Sequence, residues 1–96
     1  MIVRVQFISP LQTMVGKTEE TINLPQMTNA LQAIRTAMRG GTEAYENIFE
    51  KDGTLKQYII LMRNGVNIST PKDLREPLNE GDLLQLLPTV GGGQPS

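Results

Sequence analysis

Hydrophobic spacing in this chain changes period twice, and that change limits the folds open to it. In the first segment Ile2, Arg4 and Gln6 share one parity and Val3, Val5 and Phe7 the other, the alternation of a half-buried strand. SPLQTMVGK, with Pro10 and Gly16, predicts a turn or short loop, and TEETINLP offers a second strand whose Ile22 and Leu24 share a face before Pro25 ends it. The two strands predict a hairpin. From Thr28 the spacing lengthens to about 3.6 residues, that of a helix. Thr28 or Asn29 can cap its first free amides, Leu31, Ile34 and Met38 with Ala30 and Ala37 make one apolar stripe, and Arg39 before Gly40 and Gly41 marks its stop. The stripe is assigned to the core, because a small sheet needs a helix to cover it.

After the helix the short period returns. TEAYENIFEKDGTLK predicts a connector with a short helical turn around Ala44 to Phe49 and a turn at Asp52 and Gly53. QYIILMRNGVNI sets two apolar runs about Asn64 and Gly65, the pair best suited to a type I′ hairpin because both tolerate positive φ. STPKDLREPLNEGD reads as an irregular crossing, and LLQLLP as a short central strand buried on both faces. The sum is an α+β fold: a mixed sheet of four to five strands packed on one main helix, one domain over 1–88, and a flexible Gly-rich tail over 89–96.

Composition removes most chemistry. With 96 residues there is material for one modest core and no cleft between domains. The chain has no cysteine and no histidine, so it lacks the soft ligands of a usual zinc site, a thiolate nucleophile and a base titrating near neutrality. No catalytic residues are assigned, and the chain is read as a protein acted upon and not as an enzyme. Glu80 and Asp82 in NEGD suit a tight turn before the last strand and need no metal. The net charge is −1 with Lys and Arg scattered, which argues against nucleic acid as a partner. MIVRVQFISP is too short an apolar run for a signal peptide or a membrane span, and a cytoplasmic protein without disulfides is expected.

Three stretches carry a resemblance: RNGVNI at 63–68, PLNEGDLLQLLP at 77–88 and PTVGGG at 88–93. With the strand, strand, helix, strand order they are similar to the ubiquitin-like β-grasp sulfur carriers. That group includes the small subunit of molybdopterin synthase, the thiamine- and cysteine-biosynthesis carriers and the small archaeal modifiers. The resemblance implies that the C-terminal diglycine, here Gly92 and Gly93, is the working part. A partner adenylating enzyme of the ubiquitin-activating type would use ATP with Mg to join the terminal glycine carboxylate to AMP, so this chain itself would bind no cofactor. A sulfur donor would then convert the acyl-adenylate to a thiocarboxylate for a downstream sulfur-accepting synthase. Attack by a lysine would instead give the isopeptide bond of a protein modifier. Glycine suits a tail threaded through a narrow channel because it brings no Cβ into the gap. Six residues beyond Pro88 would span at most roughly 20 Å at about 3.3 Å each, enough to reach a partner's pocket.

The departure from the pattern is Gln94, Pro95 and Ser96, which block the carboxylate. Cleavage between Gly93 and Gln94, by a JAMM-type metalloprotease as in relatives with short extensions, is the expectation that follows. The contrasting reading is an interaction module whose tail is inert. For docking, strand parity set from Gln85 and Arg63 predicts an outer apolar patch of Ile59, Leu61, Leu83 and Leu87 with Arg63 at its edge, and Leu84 and Leu86 turned toward the helix.

Overall fold

In a computed structural model the described residues are 1–9, 11–38, 42–68 and 70–88. The predicted helix stop at Arg39, Gly40 and Gly41, Pro10 and the whole Gly-rich tail lie outside them. Strand β1 (Ile2–Phe7) alternates as its sequence demands: Val3, Val5 and Phe7 are fully buried, Ile2 and Arg4 exposed. It pairs antiparallel with β2 (Glu19–Asn23), Val3 opposite Ile22, which gives the predicted hairpin.

Helix α2 (Ala30–Ala37) begins where the polar cap requires. Asn29 accepts from the Gln32 amide and Gln32 returns a bond to the Asn29 amide, both at 2.9 Å, so two otherwise orphaned donors are satisfied reciprocally. Its buried face is Ala30, Ala33, Ile34 and Ala37, with Met38 closing the last turn; Leu31 only packs at the margin of the core. The three alanines bring little side-chain volume to the core, in which the larger Phe7, Leu84 and Leu86 are fully buried.

β3 (Ile59–Arg63) and β4 (Val66–Asn67) form the second hairpin. Asn64 and Gly65 have φ of 52° and 85°, so both central residues adopt the left-handed conformation of the predicted I′ turn. β5 (Leu83–Pro88) lies between β1, to which it is parallel, and β3, to which it is antiparallel, giving the order β2-β1-β5-β3-β4. A β-grasp arrangement of a mixed sheet over one principal helix results.

Three local expectations change, and a fourth, the helical turn in the connector, is borne out. The loop after β1 contains a helical turn, α1 (Leu11–Val15), whose Leu11 is fully buried. The connector holds α3 (Thr42–Ile48), and Ile48 and Phe49 enter the core. Arg35 ties that connector to α2: it donates to the Tyr45 hydroxyl at 3.2 Å and the Gly53 carbonyl at 2.9 Å and lies 5.5 Å over the Phe49 ring. The crossing after β4 includes α4 (Pro71–Arg75), started by the Thr70 cap and proline in its first turn. Finally, β5 is central but buried on one face only, with Leu84 and Leu86 inaccessible and Leu83, Gln85 and Leu87 half-buried.

Candidate functional site

Gly92, Gly93 and Gln94, the tail positions singled out from sequence, lie outside the described residues. What the structure supplies is the strand that leads to them and the two surfaces beside it. β5 starts on a fixed platform. Gly81, at φ 84°, closes a tight turn in which the Asp82 amide donates to the Asn79 carbonyl at 3.1 Å. The Asp82 side chain is buried and accepts from the Asn79 amide at 2.7 Å, the Asn64 amide group at 2.9 Å and the Arg63 guanidinium at 2.8 and 3.0 Å. Asn64 in turn accepts from the Leu83 amide at 2.9 Å, and Arg63 also donates to the Pro77 carbonyl at 3.1 Å. One carboxylate thus joins the β3–β4 turn to the start of β5.

Burial works against that charge, but the Asn79 amide, Asn64 and Arg63 together outweigh it and hold the Asp82 carboxyl below its ordinary value of 3.8. Gly81 and Asp82 therefore act as the turn predicted from NEGD. Among the described residues no three acidic side chains gather as a cation site would need.

Register corrects the predicted patch. On β3, Ile59 stands opposite Pro88, Leu61 opposite Leu86 and Arg63 opposite Leu84, all on the inner parity. Ile59 and Leu61 are 7% and 1% exposed, and both belong to the core. Arg63 is not the edge of an outer patch; its parity is inward, and at the strand end its guanidinium turns onto Asp82. The charge of Arg63 had suggested solvent, and assigning it outward displaces the whole of β3 by one residue. The outward positions are Ile60, opposite Leu87, and Met62, opposite Gln85. Leu83 and Leu87 do face outward, half-buried. The apolar strip on the outer face is accordingly Ile60, Met62, Leu83 and Leu87. Period-two alternation read from Leu61 inward, without weight on Arg63, would have found it.

The other half of the outer face is polar and linked across three strands. Arg4 donates to Glu19 at 3.1 Å, Gln6 donates to the second Glu19 oxygen at 3.0 Å, and Gln85 donates to Gln6 at 2.9 Å. None of these partners was foreseen, although the parity that turns Val3, Val5 and Phe7 inward turns Arg4 and Gln6 out. The Gln6 hydrogen bond, with help from Arg4, holds the Glu19 carboxyl below its ordinary range against desolvation.

Comparison with known proteins then bears on what such a strand and tail are for. Residues 5–93 match the model of the ThiS family, a span that ends at Gly93. A candidate sulfur carrier protein of Archaeoglobus fulgidus is 29% identical over 84 residues, 86% of this chain and 93% of that protein. Small archaeal modifier protein 1 of Haloferax volcanii superimposes with a TM-score of 0.81 at 22% identity, over 96% of this chain and 99% of that one. A chain of the BexX/CysO complex of Amycolatopsis orientalis gives 0.67 at 20% identity, over 94% and 98%. No helix among the described residues is long and apolar enough to cross a membrane.

Proposed function

This chain belongs to the ThiS family, and from that premise we propose that it is a sulfur carrier whose reactive group is the carboxylate of Gly93, freed by cleavage of the Gly93–Gln94 bond. The single observation that carries the reading is the family match itself, which runs through the fold and on to Gly93 but not into Gln94. The sulfur-carrier description of the Archaeoglobus relative supports it.

The chemistry falls to the partner. One Gly93 carboxylate oxygen attacks the α-phosphorus of ATP, whose Mg the enzyme holds; an acyl–phosphate bond forms and pyrophosphate leaves. Hydrosulfide from a sulfur donor then attacks the carbonyl carbon, AMP leaves with the bonding pair, and the proton passes to solvent, giving the thiocarboxylate. A synthase takes the sulfur from there. Activation is needed because a bare carboxylate repels a nucleophile, whereas the mixed anhydride has a good leaving group. The chain's own residues position the tail: the Asp82 platform fixes where β5 begins, and the strip of Ile60, Met62, Leu83 and Leu87 offers the enzyme an apolar face beside Pro88.

Isopeptide transfer to a lysine shares each step up to the acyl-adenylate, and the similarity to a protein named as a modifier keeps it as the second reading. The test is ATP–pyrophosphate exchange by the cell's own adenylating enzyme. A chain ending at Gly93 should support exchange and one retaining Gln94 should not. Exchange that is indifferent to loss of 91–96 would sink the carrier reading and leave the inert-tail module.

A further inference from the structure

The polar ladder on the outer face has a direction. An ionised carboxylate can only accept, so Glu19 obliges Gln6 to present its NH2 group, which leaves the Gln6 oxygen to face Gln85. Gln85 must then give its own NH2 to Gln6, and its Oε1 becomes the free end of the ladder, without a partner among the described residues. Arg4, on the second Glu19 oxygen, favours the ionised form at the far end. Gln85 sits between Leu83 and Leu87 along β5 and opposite Met62 on β3, in the middle of the apolar strip. Its orientation is decided by Glu19, two strands away on β2.

We infer that Gln85 Oε1 is a specificity acceptor on the docking face, and that the adenylating enzyme meets it with a single hydrogen-bond donor set within an apolar surface. The inference rests on the carrier reading above. The occupant is that enzyme because Leu83, Gln85 and Leu87 lie on the strand that continues into the tail, so whatever takes the tail covers this face. An acceptor surrounded by aliphatic groups rejects a wrongly matched partner by being left unpaired when water is expelled, which makes it a better discriminator than the apolar strip alone. Glu19 and Gln6 are positioning residues, acting through Gln85.

The test uses the full chain and the adenylating enzyme of the same cell, with affinity read by titration calorimetry. Gln85→Leu should weaken binding roughly tenfold, as loss of one desolvated hydrogen bond does, with unchanged melting temperature. Glu19→Gln should weaken it by a smaller factor, because a ladder of three amides can run either way, and should shift the Gln85 side-chain amide resonances. Equal or tighter binding by Gln85→Leu, or Gln85 amide resonances indifferent to Glu19→Gln, overturns the inference while leaving the carrier reading intact. Failure of the wild-type chain, trimmed to Gly93, to support ATP–pyrophosphate exchange overturns both.

Discussion

The two ends of β5 are held by different means. At its start, a buried carboxylate accepts from a backbone amide, an asparagine and an arginine, and Gly81 and Asn64 hold left-handed turns on either side of it. At its finish, Pro88 is held by strand pairing, opposite Ile59 on β3, and the sequence runs on to the glycines. Two faces differ in the same spirit: Leu84 and Leu86 are wholly buried inward, Leu83 and Leu87 half-buried outward. A strand locked at its start by a buried carboxylate and buried on its inner face can serve as a rigid handle for chemistry further along the chain.

The contrast breaks hardest from the inner face. Leu86→Ala should cost about 3 kcal/mol, the transfer of a fully buried side chain plus the cavity left in the core, measured by urea denaturation. Asp82→Asn should cost about 2–3 kcal/mol, less than stripping a fully buried ion pair, because the Arg63 side chain keeps 18% of its surface exposed. Its acid profile sharpens the point. The folded Asp82 carboxyl lies below 3.8, so the unfolded chain takes up the proton first as pH falls. The stability that this group contributes is complete above its unfolded value and is lost as pH drops through the folded one. Asp82→Asn should therefore lose less stability between neutral and strongly acid pH than the wild type, and equal acid slopes would count against the platform.

Smaller effects lie in the turn and outer face. Gly65→Ala should cost about 1 kcal/mol: the space around it is open, so only the strain of a φ of 85° remains. Leu87→Asp should move the denaturation midpoint least of the four, since the side chain is only partly covered, yet abolish adenylation. A folded Leu87→Asp chain that is still adenylated normally would remove the outer strip from the account.

These contrasts also mark what the residues disclose before folding. Asn64 and Gly65, Thr28 or Asn29 as a cap, and the alternation of Val3, Val5 and Phe7 are local signals, and each predicted its element because the physics that sets them spans only a few residues. The helix α1 escaped because five residues cannot show a 3.6 period, and α4 because Thr70, Pro71 and Asp73, a fair start signal, sat within a stretch read for its prolines. The patch failed at Arg63 for a different reason. Its charge is balanced by Asp82, a partner 19 positions away, and no local pattern reveals that pairing. Gln6, Glu19 and Gln85 join three strands that only the sheet order brings together.

The most direct test is intact-mass spectrometry on the protein isolated from its own cells while the pathway it serves is active. The account predicts a chain ending at Gly93, a fraction of it heavier by the exchange of one oxygen for one sulfur. Chains that all retain Gln94, Pro95 and Ser96 under those conditions would contradict it.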